Sequence, residues 1–242
     1  MKAVLLIGGL GTRLRSAVPT APKALAPVGG RPFLELIVQQ LVRQGIRELV
    51  MCTGYLAEQI EEHFGDGRAF GVSIEYSFEP SPLGTAGALK LAEKYLACES
   101  DFLVLNGDSF FDCDFAELIA YHRRQASEVT FAVALVSDAS RYGTIRLAND
   151  GRILAFLEKA GQSAPGLINA GVYVMRADVL GRIAEGPSSL EKDIFPGLLK
   201  QGMYGVVRDG LFIDIGTPSD YARANQIKTL LAARARNAGR VA

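Results

Sequence analysis

An α/β fold, with a mainly parallel sheet covered by helices on both faces, is predicted by three features of the sequence. Short apolar runs alternate with helix-spaced segments through the first half. A glycine-rich loop follows the first apolar run at once. A wholly apolar run, Phe102–Leu105, ends in Asn106-Gly107-Asp108. Alternation of strand, helix and strand is the pattern of parallel strands joined by crossover helices. At 242 residues the chain is long enough for one such domain with a sizeable core, and no linker, repeat or low-complexity tract divides it.

The elements follow in order. Ala3–Ile7 predicts a buried first strand. Phe33–Gln44 carries Phe33, Leu34, Ile37 and Leu41 at helical spacing and stops at Gly45. Glu48–Thr53 predicts the second strand and Ala57–Phe64 the second helix, broken by Gly65-Asp66-Gly67. Ser73–Ser77 alternates as a short strand and leads through a Pro- and Gly-rich turn, Glu79–Gly87, into a helix over Ala88–Tyr95. Beyond Asp108 the pattern turns β-rich. A helix is expected over Phe115–Gln125 and a strand over Val129–Val136. Arg141–Leu147 and Ile153–Glu158 form a hairpin about Asn149-Asp150-Gly151. A strand over Gly171–Met175, a helix over Leu190–Lys200, a last strand over Phe212–Ile215 and a helix over Asp220–Ala233 complete the chain, with a basic tail after it.

Composition excludes several classes. Lys and Arg total 26 against 26 Asp and Glu, so the basic excess of a nucleic-acid footprint is missing. No apolar run approaches membrane-spanning length, and Met1-Lys2-Ala3 leads straight into a strand rather than a signal peptide. The 3 cysteines, Cys52, Cys98 and Cys113, have no metal-binding spacing and read as reduced residues of a cytoplasmic protein. The exposed apolar faces of helices leave a homodimer open.

Chemistry collects around Leu5–Gly30. In Gly8-Gly9-Leu10-Gly11-Thr12-Arg13 the missing side chains let the backbone turn tightly, and successive N–H groups can form an anion-binding concavity. Arg13 adds a cation suited to a phosphate. Pro19, Pro22 and Pro27 hold an extended arm that carries Lys23. Together these read as a grip on a nucleoside triphosphate. A dinucleotide turn would need a third glycine, and a Walker loop would need GxxxxGK[ST]; neither is present. Asp108 ends an apolar strand, and Asp214 lies inside the apolar run Phe212–Ile215. Taken singly, each reads as a cap or turn residue; taken together, they read as a carboxylate pair for magnesium. Glu158-Lys159 is either a solvated pair or a site pair, Asn169 either a turn residue or an amide for a sugar hydroxyl, and Gly143 either a strand bend or a point of close backbone approach. The 2 histidines, His63 and His122, fall on helices away from these loops. No nucleophile motif occurs, which fits nucleotidyl transfer by positioning and charge neutralisation.

These residues resemble the sugar-phosphate nucleotidylyltransferases. The resemblance rests on Gly8-Gly9-Leu10-Gly11-Thr12-Arg13-Leu14, Pro22-Lys23, Pro82-Leu83-Gly84-Thr85-Ala86-Gly87, Asn106-Gly107-Asp108, Phe156-Leu157-Glu158-Lys159, Asn169-Ala170-Gly171 and Asp214-Ile215-Gly216-Thr217-Pro218. It implies a Rossmann-like, GT-A-like nucleotidyltransferase fold with a small β-rich sugar-binding insertion. The nucleotide-binding part would span about 1–110, the sugar-phosphate part about 111–218 and a C-terminal helix about 219–235. It further implies that Arg13 and Lys23 are catalytic. Leu6, Gly8, Gly9, Gly11, Thr12, Arg13, Lys23, Glu79, Gly84, Thr85 and Asp108 would bind the nucleotide. Asn106, Gly143, Glu158, Lys159 and Asn169 would bind the sugar phosphate, and Asp108 and Asp214 would hold Mg2+.

Within that family, Arg141-Tyr142-Gly143-Thr144, Gly166–Gly171 and Phe212–Gly216 look most like the D-glycero-α-D-manno-heptose 1-phosphate guanylyltransferases, with departures at Ile7 and Ala170. This implies GTP and a heptose 1-phosphate as substrates, for a cell-surface glycan such as lipopolysaccharide or an S-layer glycan. Glu79 supports guanine, because a carboxylate can accept two hydrogen bonds from its N1–H and 2-amino edge. The alternatives are a uridylyl- or thymidylyltransferase acting on a hexose, N-acetylhexosamine or muramate 1-phosphate, and a catalytically silent sugar-nucleotide sensor. A fused acyltransferase domain is not expected, since little follows Asp214 beyond a helix.

Overall fold

The structure, a computed structural model, describes residues 1–157 and 163–226. Its framework is a sheet of nine strands among the described residues. The strands are β1 (Ala3–Leu6), β4 (Glu48–Thr53), β5 (Ser73–Phe78), β6 (Asp101–Asn106), β8 (Val129–Val136), β9 (Thr144–Leu147), β10 (Ile153–Leu157), β11 (Gly166–Arg176) and β12 (Met203–Arg208). Two small ribbons complete the strands: β2 (Pro27–Val28) with β3 (Arg31–Pro32), and β7 (Ser109–Phe111) with β13 (Phe212–Asp214). The helices are α1 (Phe33–Arg43), α2 (Ala57–Phe64), α3 (Gly84–Ala92), α4 (Phe115–Arg124), α5 (Phe195–Leu198) and α6 (Pro218–Gln226).

The strand order is β10-β9-β11-β6-β1-β4-β5, with β8 paired to β11 and to β12. β6, β1, β4 and β5 run parallel; β11 pairs antiparallel with β6, β8 and β9. From β1 the chain moves outward through β4 and β5, then crosses back to place β6 on the other side of β1. The loops leaving β1 and β6 therefore diverge, and an open α/β sheet binds ligands in the crevice outside such strand ends.

Period-two alternation divides the core between the two faces of the sheet. Ala3 and Leu5 of β1 and Leu103 and Leu105 of β6 face a cluster built with Leu34, Ile37 and Leu41 of α1, Ile60 and Phe64 of α2, and Phe115 and Leu118 of α4. Val4, Phe102 and Val104 face the opposite cluster, with Leu89 and Ala92 of α3 and Phe195 and Leu198 of α5. The expected α/β architecture with helices on both faces is thus borne out, and the β-rich second half extends the same sheet.

Several boundaries differ from expectation. The turn expected at Gly84–Gly87 is the first turn of α3, which begins at Gly84 and passes into a 3-10 turn over Glu93–Tyr95. Its amides find an acceptor far along the chain: Ala86 and Gly87 N–H both donate to the Ser188 carbonyl, at 3.0 and 3.3 Å. The arm expected to be extended holds a 3-10 turn over Lys23–Leu25, started by Pro22. The expected helix Leu190–Lys200 is a wide π-type turn, Leu190–Ile194, running into the short α5. β7 and β12 were not anticipated. α6 starts at Pro218, and its expected continuation to Ala233 lies outside the described residues, as do Glu158 and Lys159. No described helix is long and apolar enough to cross a membrane.

α4 starts on Asp114, whose carboxylate accepts from the Glu117 N–H at 3.0 Å. Asp114→Ala should remove about 1 kcal/mol of stability, read as a lower urea midpoint with unchanged slope.

Candidate active site

The loops leaving β1 and β6 enclose two adjoining cavities that share Leu6, Gly9 and Asp108. The first, about 220 Å³, is lined by Gly9, Gly11, Thr12, Arg13, Lys23 and Gly216. The second, about 260 Å³, is lined by Gly8, Cys52, Glu79, Gly84, Thr85 and Asn106. Every residue expected at a nucleotide falls on one cavity or the other.

In the first cavity Gly11 has φ +58°, and a β-carbon there would lie 3.2 Å from Cβ of Lys23. Glycine thus lets the loop run against the arm that carries the lysine. Lys23 Nζ lies 2.6 Å from Asp108 Oδ2. Asp214 lines neither cavity, but it lies near enough to feel the charges of Asp108 and Lys23. Pairing of β13 with β7 sets Asp214 across from Ser109, and the Ile215 N–H donates to the Asp108 carbonyl at 3.0 Å. Burial, and then the negative charge of Asp108, push the Asp214 carboxyl above its ordinary value, while the Gly216 N–H on its Oδ1 and the Lys23 ammonium pull it back. One ammonium is therefore paired with Asp108 and lies within charge range of Asp214. Arg13 lines the same cavity and is exposed.

In the second cavity Glu79 is only 8% exposed. It fits because Gly8 and Gly54 have no side chains: a β-carbon on Gly54 would lie 2.9 Å from Glu79 Cγ, and one on Gly8 would collide with the carboxylate. Glu79 Oε2 accepts from the Leu83 N–H at 3.1 Å, and burial raises the carboxyl above its ordinary value. The Thr85 hydroxyl is committed elsewhere, accepting from the Leu190 N–H at 2.8 Å and donating to Glu191 at 3.2 Å. Gly84, with φ +71°, lies so close to the Ser188 carbonyl that a β-carbon would come within 2.5 Å of it.

The residues expected at a sugar divide. Asn169 is occupied: its Nδ2 donates to the Tyr173 hydroxyl at 2.6 Å and its Oδ1 accepts from the Gly171 N–H at 2.9 Å. The free acceptor is Asn106, whose Oδ1 is buried and has no hydrogen-bond partner among the described residues. Gly143 has room for a β-carbon, 3.5 Å from the Leu157 carbonyl, so packing within the chain does not demand glycine there. His63 bonds Glu35 at 2.9 Å, and the buried His122 bonds Thr130 at 2.9 Å; neither lines a cavity. Cys52 lines the second cavity, but burial pushes its thiol up to about 12, so it supplies no thiolate.

Sequence reasoning passed over Gly107, Gly216 and Asp220. A β-carbon on Gly107 would strike Ile7, and one on Gly216 would lie 2.7 Å from Asp214 Oδ1. Asp220 was readable: Thr217-Pro218-Ser219-Asp220 has the form of a helix start with a capping box.

The chain belongs to the nucleotidyl transferase family, whose sequence profile matches residues 2–229. That bears out the resemblance carried by the glycine loop and the Asn-Gly-Asp and Asp-Ile-Gly-Thr-Pro motifs. The D-glycero-alpha-D-manno-heptose 1-phosphate guanylyltransferase of Aneurinibacillus thermoaerophilus is 39% identical over 228 residues, covering 93% of this chain and 97% of that protein. The mannose-1-phosphate guanylyltransferase of Mycobacterium tuberculosis is 37% identical over 227 residues, covering 92% of this chain and 63% of that longer protein. Among solved structures, HddC from Yersinia pseudotuberculosis complexed with GMP-PN superposes with a TM-score of 0.82 at 31% identity, covering 93% of this chain and 98% of that one.

Gly8→Ala should drive the Glu79 carboxylate out of its slot and leave the Leu83 N–H without its acceptor. The expected result is faster hydrogen exchange at Leu83 and a stability loss of about 1–3 kcal/mol.

Proposed function

We propose that this chain transfers GMP from GTP to D-glycero-α-D-manno-heptose 1-phosphate, releasing pyrophosphate. The observation that carries this reading is the adjoining pair of cavities: one lined by Arg13 and Lys23, the other holding a buried carboxylate, Glu79. The first suits a triphosphate. The second suits a guanine edge, with Glu79 Oε1 as an acceptor. The guanylyltransferases among its relatives and the GMP-PN complex of HddC support the base. The heptose rests on the Aneurinibacillus relative; mannose 1-phosphate is the second reading, favoured by the mycobacterial one.

In this reading a phosphate oxygen of the sugar 1-phosphate attacks the α-phosphorus in line as the bond to pyrophosphate breaks. The nucleophile is already an anion, so no side chain need remove a proton. Arg13 and Lys23 offset the negative charge that gathers on the phosphates. Asp108 and Asp214 suit a hard divalent cation: both are carboxylates, and burial and then the charge of Asp108 hold the Asp214 carboxyl above its ordinary value. Magnesium held there would supply charge neutralisation to the phosphates. We read the chain as one functional unit in which Asn106, Gly143, Glu158, Lys159 and Asn169 serve the sugar-phosphate side. Its three free cysteines fit a reducing, cytoplasmic setting.

The test is pyrophosphate release from a matrix of GTP, UTP, dTTP, ATP and CTP against heptose, mannose, glucose and N-acetylglucosamine 1-phosphates, with and without magnesium. Release concentrated at GTP with heptose 1-phosphate is expected. A maximum in another well replaces the substrate assignment. Nucleotide binding without release in any well turns the protein into a sensor. Lys23→Ala, Asp108→Asn and Asp214→Asn should each lower turnover by about 100-fold or more. Full activity in any of them removes that residue from the mechanism. Glu79→Gln should cut the preference for GTP over UTP by about tenfold, and an unchanged ratio would mean the base is read elsewhere.

A further inference from the structure

We infer that Asp220 is a positioning residue for the sugar-phosphate side of the site, acting through Arg141 on the loop that leads to Gly143; the inference rests on the sugar 1-phosphate reading above. Asp220 is 4% exposed, an unusual place for a charge unless it is fully paired. Its Oδ2 lies 2.7 Å from Arg141 Nη1, and its Oδ1 takes Arg141 Nη2, so the guanidinium forks across both oxygens. The Thr217 hydroxyl donates to the same Oδ2 at 2.6 Å, and Arg223 Nη2 stands 3.7 Å from Oδ1.

A helix cap alone does not account for this arrangement. A carboxylate in the first turn of a helix can serve the capping box from an exposed position. Here it is buried, and its fork partner lies 79 residues earlier in the chain. That partner immediately precedes Tyr142 and Gly143. Tyr142 is fastened to the same frame, its ring packing edge-on against Phe212 of β13 with centroids 5.7 Å apart. β13 ends in Asp214. The loop carrying Gly143 is therefore pinned, through Arg141 and Tyr142, to the segment that carries Asp214.

α6 also reaches the lysine arm. The Tyr221 hydroxyl donates to the Pro27 carbonyl at 2.7 Å, and the Gly29 N–H donates to Asn225 Oδ1 at 3.2 Å. Loosening Asp220 should free the Gly143 loop while the contacts near the nucleotide cavities persist. The consequence is specific: weaker use of sugar 1-phosphate with little change toward the nucleotide.

The experiment is steady-state kinetics on Asp220→Asn and Arg141→Lys, varying GTP and the preferred sugar 1-phosphate separately, with thermal melting as the folding control. Asp220→Asn keeps the side-chain shape, and the guanidinium of Arg141 can turn to water because it is 43% exposed. Arg141→Lys keeps the charge but loses the fork, and it carries the test if Asp220→Asn does not fold. The expected result is a KM for sugar 1-phosphate raised about tenfold in Asp220→Asn and less in Arg141→Lys, with the KM for GTP within about twofold of the parent. An unchanged sugar-phosphate KM in the folded variants overturns the inference. So does a parallel rise in both KM values, which would mark a merely structural pair. A parent protein inactive on every sugar 1-phosphate overturns the functional reading and this inference with it.

Discussion

Two carboxylates gathered near one ammonium, with Asp108 in contact with it, form the constraint on which the rest of the structure depends. Asp108 leaves the central sheet at the end of β6, and Asp214 ends a strand of a separate ribbon. The β7–β13 pairing, continued by the Ile215 N–H on the Asp108 carbonyl, holds the two segments together. Lys23 offsets one negative charge, and the Asp214 carboxyl remains above its ordinary value. A cleft with clustered carboxylates next to Arg13 and a glycine loop is poor packing, and on the proposed reading it would receive a cation carried in with phosphates. The stability given up there is recovered elsewhere in the sheet, whose strands β1 and β6 are buried on both faces.

The base-sized cavity is defined by missing side chains. Gly8 and Gly54 open the slot for Glu79, and Gly84 and Gly87 let the segment from Gly186 to Ser188 lie directly on α3. That contact has an electrostatic consequence. A helix N-terminus is a ready anion site only while its N–H groups are free. In α3 the amides of Ala86 and Gly87 are already bound by Ser188, and Thr85 is bound by Leu190 and Glu191. On the proposed reading, phosphate recognition would fall to the loop Gly9–Thr12 with Arg13 and Lys23, and α3 would serve as a wall.

How far the sequence predicts the structure follows from the range of the interactions. β1, β4 and β6 were legible because burial on both faces demands a continuous apolar run, which few other structures tolerate. The start of α3 was not, because Gly84-Thr85-Ala86-Gly87 has the local chemistry of a turn and becomes helix only when the Ser188 carbonyl arrives from a hundred residues away. β12 carries Gly205 in its middle, which weakens the local strand signal; glycine is needed there because Val133 and Leu147 fill the space a side chain would take. Among the site residues, the Lys23, Asp108 and Asp214 motifs were readable, and their convergence matches the expected cleft. The hydrogen bonding of the two asparagines was not: both were expected at a sugar phosphate, and only the fold shows that Asn169 Oδ1 is taken by the Gly171 N–H while Asn106 Oδ1 has no partner among the described residues.

The last described helix carries an argument that composition would have hidden. α6 is polar, and among its residues only Asp220 and Ala224 are buried, so hydrophobic burial contributes little to holding it in place. Directional bonds hold it instead, to Arg141 ahead of Gly143 and to Pro27 and Gly29 on the lysine arm. Such bonds fix orientation more strictly than an apolar contact of the same area, because a fork between guanidinium and carboxylate tolerates little rotation. Two-substrate chemistry needs that strictness, since an in-line attack loses rate steeply when the reacting atoms are misplaced by about 1 Å. A segment outside both cavities can thus set the geometry between them, and its sequence signature is a buried acid in an otherwise polar helix.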